Sequence, residues 1–565
     1  MDLVIRGGMV YDGTGAAGVR ADVGITDGVI TQVGRIDEVG AQEIDATDRI
    51  VTPGWVDIHT HYDGQAIWDD QVSPSSWHGV TTAVMGNCGV GFAPCRPDDR
   101  DALVELMEGV EDIPAPVMHR GLNWQWETFE EYLDVVERKP RDMDLCALLP
   151  HAPLRVYVMG ERALRLEPAT EQDIERMRAL VADGIRAGAF GVSTSRTTGH
   201  ATKKGDYTPT LLARQRELMG LAHGMTDAGR GIFEVVMEGT DPEVRGEYET
   251  MRRVLEKSGR RGVFSLNQNS KHPMLYKELM DFADEAIADG VSFRPVVAPR
   301  AIGMLLGLEG SQNPFAGTRT YHDMAELSLA ERVRRMRDPA VRSAILSEDR
   351  MEFSTFPFLN RILYTDMFRF GTPPNYTPSA KDSIEAIARR EGRSAPEVAY
   401  DVMLENDGMG FIYVPFTNYA SGDLSVVEEM LGNRNTIMGL GDGGAHVGFI
   451  LDAGFQTWML TYWVRERNFL SIAEAVRRMT SDTADEMGLV DRGRIRVGLR
   501  ADINVINLER LDFGSPYVAY DLPDGGKRLL QKAVGYDATL VAGQVTYRDG
   551  VDTGARPGRL VRSGG

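Results

Sequence analysis

Pro53-Gly-Trp-Val-Asp-Ile-His-Thr-His61 is an apolar strand opened by a Pro-Gly turn and ended by two histidines. Side chains of an extended chain alternate with period two, so His59 and His61 project from one face. If that face is the inside of a barrel, the pair sits at the C-terminal mouth, where barrel enzymes do their chemistry. Two imidazoles there can hold zinc at about 2.0–2.1 Å, with neighbouring side chains completing the shell. Two polar residues at a wet strand end is the plainer reading, and the position after Pro-Gly is what weighs against it.

Outward from this stretch, short β-rich runs alternate with helical patterns, the βα signature of a parallel sheet or barrel. The runs at 54–59, 80–87, 143–149, 189–194, 231–237, 262–267, 291–298 and 434–441 number eight, which predicts a closed (βα)8 TIM barrel, an α/β fold. Thr128-Phe-Glu-Glu131 is a capping box for a helix running to about Lys139. Amphipathic stretches 173–186 and 209–228 end at Gly188 and Gly229. A ninth run, Phe411 to Pro415, does not fit the count. It follows a stretch from 300 to 380 rich in Gly, Pro and aromatics, which reads as an irregular insertion over the barrel mouth, near 300–410 overall. Strand-and-turn texture occurs at 2–52 and returns only at 493–508 and 538–550. The expected organisation is therefore a small β-sandwich domain from 1–53 plus 488–565, flanking a barrel at 54–487.

Two other strand ends carry chemistry. Val80-Thr-Thr-Ala-Val-Met-Gly-Asn-Cys-Gly89 ends in Cys88 between glycines, a loop rather than a core texture, and a thiolate there suits zinc. Free cysteine is more often a small buried hydrophobe, and Cys95 and Cys146 are read that way. Thr436-Ile-Met-Gly-Leu-Gly-Asp-Gly-Gly444 places Asp442 after the last strand, where a carboxylate can face the metal and take a proton from water. An Asp-Gly turn is common in itself; its place in the barrel makes the case.

Composition bounds the rest. The 565 residues carry a formal net charge of −21 with no acidic tail, which argues against nucleic-acid and anionic-membrane partners. No window reaches the roughly 18–20 apolar residues of a membrane span. The start lacks the basic and apolar regions of a secretion signal. Three cysteines cannot form an even disulfide framework, so a reducing cytoplasm is the expected compartment. No Walker motif or strand–GxGxxG–helix unit supports nucleotide binding.

His59-Thr-His61, the Gly86-Asn-Cys-Gly-Val-Gly-Phe-Ala-Pro94 loop and Gly-Asp442-Gly resemble the amidohydrolase superfamily, and within it the N-acyl-D-amino-acid deacylases. Asp12-Gly-Thr-Gly15 and Gly498-Leu-Arg-Ala-Asp502 resemble that family's two-part β-domain. Trp124-Gln-Trp-Glu-Thr-Phe129, Pro150-His-Ala-Pro-Leu-Arg155 and Gly188-Ala-Phe-Gly-Val-Ser-Thr194 resemble its barrel landmarks. The resemblance implies one or two zinc ions, or another divalent metal, on His59, His61, Cys88 and Asp442. It further implies hydrolysis of an amide in a small acylated-amine substrate, with Asp442 as general acid/base to a metal-activated water.

The resemblance breaks at two strands. The family carries metal-binding histidines at the ends of strands five and six; here these read Gly231-Ile-Phe-Glu-Val-Val-Met-Glu238 and Val263-Phe-Ser-Leu-Asn-Gln-Asn269, with Val236 and Asn267 at the vacant places. Glu234 and Glu238 share a face with Val236, and Ser265 and Asn269 with Asn267. Glu234 is thus a candidate extra ligand, balanced against a role in barrel packing. His151, Asn267, Asn269, Arg300 and His446 are candidate substrate contacts, with His200 and Arg294 as further options. Because the specificity residues differ, hydrolysis of a cyclic amide or lactone is a second reading, and a catalytically inactive barrel serving as a binding protein is a third. Homo-oligomerisation is left open.

Overall fold

The computed structural model describes residues 1–239, 244–348, 360 and 362–564. Its centre is a ring of parallel strands: Trp55–Asp57, Val80–Met85, Asp144–Ala147 continued by Leu149–Pro150, Gly191–Arg196, Ile232–Met237, Arg261–Ser265, Phe293–Val297 and Ile437–Met438. Each pairs in parallel with the next. A parallel bridge between Thr60 and Gly443 joins the last strand to the first. His61 N donates to Gly443 O at 2.7 Å across that join, so the histidine pair and the Asp442 loop are stitched backbone to backbone. This is a TIM-barrel-type fold with an additional β region.

The helices answer to their termini. Thr128 caps Phe129–Glu137 with both bonds of a capping box, and Thr170 with Asp173 does so for Glu171–Ala187, which stops at Gly188. The helix expected from 209 begins only at Gln215, because residues 209–212 turn before it. The two chain ends share one nine-stranded sheet, in which Ile50–Pro53 pairs antiparallel with Ile503–Ile506. Arg492 pins this region to the barrel's lower end through Asp144 at 2.6 Å and Thr82 at 2.9 Å.

The stretch between the seventh and eighth strands is a folded unit, not an irregular one. Gly303–Leu306, Ile412–Pro415 and Phe368–Arg369 form an antiparallel sheet, which accounts for the ninth β run. Short helices including Leu329–Met336, Pro339–Ser347, Ile384–Glu391 and Ala395–Met403 pack around a separate apolar core containing Leu306, Val333, Met336, Tyr400 and Ile412. Residues 349–359, in the same stretch, lie outside the described residues.

Candidate active site

Strand parity does what the sequence requires of it: His59 and His61 follow the first strand, both are buried, and their rings meet edge to face with centroids 5.5 Å apart. Cys88 turns in from the second strand in the left-handed region (φ 56°). The turn is possible because Gly89 lets the loop lie on the fourth strand; a Cβ there would come within 2.8 Å of Thr194 Cα and Ser195 N. Cys88 Sγ lies 3.4 Å from His59 Nε2 and 3.7 Å from His61 Nε2. The ligand atoms of these three residues fall within 4.8 Å of one another. Asp442, also left-handed (φ 46°), brings Oδ1 to 3.4 Å from His59 Nε2 and 3.8 Å from His61 Nε2.

Behind the imidazoles stand two buried carboxylates. Glu234 Oε1 is 3.9 Å from His59 Nδ1, and its Oε2 accepts the Cys88 N–H at 3.1 Å. It therefore meets His59 from the side opposite Cys88 and Asp442. Glu111, which sequence reasoning missed, brings Oε1 to 3.4 Å from His61 Nδ1. His61 Nδ1, Glu111 Oε1, Glu234 Oε1, Asp442 Oδ1 and His446 Nδ1 are all buried without a hydrogen-bond partner.

The electrostatics are those of a cation site. Burial, with His200 adding to it, lowers His59 to about 3, and burial with its histidine neighbours takes His61 down as well, so both rings are neutral and can offer a lone pair. Burial, then Asp452 and Asp57, raises Asp442 to about 8; burial, the Cys88 N–H notwithstanding, raises Glu234 to about 8. The Cys88 thiol is pushed up by burial and then by Glu111, Glu234, Asp442 and Asp63. Every ion-pair partner of Glu111, Glu234 and Asp442 among the described residues is a histidine. Two imidazoles, a thiol and a carboxylate with orphaned oxygen, gathered where acidic groups lack a cationic side chain, suit a divalent metal of borderline softness.

The remaining expected residues are placed as follows. His446, left-handed (φ 49°), brings Nε2 to 3.7 Å from Glu111 Oε2. His200 Nδ1 meets Ser195 Oγ at 2.8 Å, and the ring is close enough to depress His59, His61 and His446. His151 is fully buried with both nitrogens engaged, Nδ1 by Thr194 Oγ1 at 2.9 Å and Nε2 by Glu217 Oε1 at 3.1 Å. That leaves it no atom for a ligand. Asn267 Oδ1 accepts from Asn418 Nδ2 at 3.2 Å. Asn269 is engaged between two loops, donating to Gly239 O after the fifth strand and accepting from His272 N in its own loop. Arg300 stacks 3.6 Å from the Tyr376 ring centroid and gives Nη2 to Asp452 Oδ1 and Leu451 O, both at 2.8 Å, so its charge is already paired. Arg294 points to the other end of its strand, onto Glu486 at 2.9 Å. A pocket lined by His78, Asp442, Gly443, Asp452, Arg528 and Gln531 reaches the site from the side of the hairpin Tyr517–Leu522 and Gly526–Leu530.

The profile of the amidohydrolase family matches residues 42–547. The chain is similar to the D-aminoacylase of Alcaligenes xylosoxydans xylosoxydans, 25% identical over 99% of this chain and 97% of that one. It is also similar to the N-acyl-D-glutamate deacylase of the same organism, 26% identical over 100% and 96%. An uncharacterised protein of Mycobacterium tuberculosis is 27% identical over 100% and 96%. Among solved structures, that of D-aminoacylase superposes with a TM-score of 0.67 at 22% identity, covering 99% of both chains. The N-acyl-D-glutamate deacylase of Bordetella bronchiseptica, solved with zinc and a phosphonate inhibitor, gives 0.66 at 21% identity over 100% of both. With the profile spanning most of the sequence and the barrel and histidine pair in place, the chain belongs to the amidohydrolase family and is a hydrolase.

Proposed function

We propose that this protein hydrolyses the amide bond of a small acylated amine, in the manner of the N-acyl-D-amino-acid deacylases, with zinc held by His59, His61 and Cys88. The observation that carries the reading is the convergence of those three donors within 4.8 Å, with Asp442 Oδ1 at 3.4 and 3.8 Å from the imidazoles. Three donors are enough to hold one ion with a fourth position left for water or substrate, which favours one metal per chain over two. A divalent metal bound there supplies Lewis acidity, polarising the acyl carbonyl and making water a stronger acid.

The chain's own groups do the rest. His59 and His61 stay neutral and present Nε2 to the centre. Asp442, with an oxygen free of other partners, is placed to take a proton from the attacking water and to deliver it to the departing nitrogen. His59, His61 and Cys88 are buried, which limits the access of bulk water to them. We assign 1–53 with 488–565 to a β-domain of sandwich type and 54–487 to the catalytic barrel. No helix among the described residues is long and apolar enough to cross a membrane.

Metal analysis of protein purified without added metal, followed by a screen of N-acyl-D-amino acids and other acylated amines, tests the reading. About one zinc per chain and amide hydrolysis that a chelator abolishes are expected. A chain that takes up no metal when zinc is offered, and cleaves no acyl-amide, would sink it.

A further inference from the structure

Glu111 has a place that packing alone does not explain. It ends the helix Arg100–Glu111, and Asp112 closes that helix in the left-handed region (φ 51°). The helix is fixed from several sides. Gly109 lies so close to the loop after the fourth strand that a Cβ would come within 2.3 Å of Ala201 O. Lys203 and Lys204 from that loop pair with Glu108 at 3.0 Å and Glu105 at 2.8 Å. Ser311, from the folded insertion, donates to Asp112 at 2.9 Å. These contacts deliver Glu111 to the interior at 1% exposure.

There its two oxygens do different things. Oε1 faces His61 Nδ1 at 3.4 Å, and neither atom has a hydrogen-bond partner, so the two are left for each other. Oε2 faces His446 Nε2 at 3.7 Å, while the Glu111 carbonyl accepts the His446 N–H at 2.5 Å. A neutral imidazole has one N–H and one lone pair, so a carboxylate that takes the Nδ1 proton decides that Nε2 carries the lone pair. For His61 that is the nitrogen turned toward Cys88 and Asp442.

We propose that Glu111 is a positioning residue: its carboxylate, set against His61 Nδ1, takes that N–H and fixes the ring's tautomer and orientation for metal, while its backbone carbonyl, bonded to the His446 N–H, ties it to the loop that carries Asp442. Glu234 stands in the same relation to His59, from the Nδ1 side at 3.9 Å. A carboxylate behind a ligating imidazole also raises its basicity. The inference rests on the metal reading above, and one experiment separates the two.

Zinc affinity of the full-length wild type, Glu111→Gln and Glu111→Ala is measured by competition with a chromophoric chelator. The visible absorption of the cobalt-loaded proteins is recorded alongside, and urea midpoints serve as the control for folding. Loss of about tenfold in affinity is expected for Glu111→Gln, which keeps an acceptor but not the charge, and about 100-fold for Glu111→Ala, with shifted cobalt bands in both. Wild-type affinity and an unshifted cobalt spectrum in folded Glu111→Ala would overturn the assignment and leave the metal reading standing. If Glu111→Ala does not fold, Glu111→Gln decides by the same criteria. A wild type that binds neither zinc nor cobalt overturns the metal reading, and the role of Glu111 with it.

Discussion

Replacing Asp442 with asparagine isolates the proton carrier from the site that holds it. The side chains are nearly isosteric, and position 442 sits at φ 46°, a left-handed conformation that Asn tolerates as readily as Asp. No backbone cost is therefore expected. The amide oxygen can still occupy the place of Oδ1 near His59 and His61, while the three other donors are untouched. What is lost is the ability to take and return a proton. General acid–base catalysis is worth about 10²- to 10⁴-fold, or roughly 2.7–5.5 kcal/mol of barrier. Asp442→Asn should keep metal content near wild type and lower kcat by that factor, read by amide hydrolysis alongside elemental analysis on the same preparation. Unchanged turnover refutes the role of Asp442. Metal lost together with turnover would show instead that its carboxylate is needed to hold the ion, and the rate effect could not be assigned to proton transfer.

Other perturbations test separate links. Cys88→Ala should lose metal, since the thiolate is the one soft donor among the three; full occupancy would make Cys88 a packing residue. Gly89→Ala should weaken metal binding without touching a ligand, because its Cβ would push the Cys88 loop off the backbone of Thr194 and Ser195, and chelator competition would read it. Glu217→Ala should destabilise the fold by about 3–5 kcal/mol in urea titration, because it strips the buried Arg155 of its 2.7 Å partner; a stable variant that loses only activity would instead make the His151 network part of the site. Acid should also destabilise the protein through His78, which burial lowers to about 4, with Arg300 helping against its bond to Gln531 O. Its folded pKa lies below the unfolded value near 6.5, so the unfolded chain binds more protons between the two and stability falls as pH falls through that window. About 2 kcal/mol should go between pH 7.5 and 5, and His78→Gln should flatten that part of the urea-midpoint profile.

What the sequence revealed depended on whether the signal was local. His59, His61, Cys88 and Asp442 all sit at strand ends, where period two and flanking glycines say which way a side chain turns, and the structure gathers all four. Glu111 lies at a helix end. Its clue was subtle: it falls four residues after Met107 and eight after Leu103, inside the buried stripe of its helix, where a carboxylate has no reason to be unless it has a partner. His151 shows the opposite failure. Position suggested a substrate contact, but its ring is claimed by Glu217, 66 residues away, and nothing in the local sequence announces that. Arg300, expected as a substrate contact, is held by Asp452 from beyond the eighth strand. The insertion read as irregular because its helices are short, four residues at Arg319–His322 and eight at Leu329–Met336, too brief for a clear period.

Cys88, Asp442 and His446 share a property that bears on how the site is maintained: all three are non-glycine residues in the left-handed region. Such a conformation costs roughly 1–2 kcal/mol for an ordinary L-residue, less for Asp, so local preference opposes the site at several points. Tertiary contacts overrule it. The Cys88 N–H is held by Glu234, the Asp442 N–H by His59 O at 3.2 Å, and the His446 N–H by Glu111 O. Each strained residue is thus tied by its backbone to another member of the cluster rather than to the scaffold alone. The consequence is that the site should order or fail as a unit. Substituting Glu234 would release both its carboxylate and the constraint on left-handed Cys88, whereas substituting Glu111 removes the carboxylate that faces His61 and His446 and leaves its carbonyl on the His446 N–H. Effects of substitutions at Glu111, His446 and Asp442 should therefore be strongly non-additive in metal affinity, and a double-mutant cycle between Glu111 and His446 with no coupling would contradict this account of the loop.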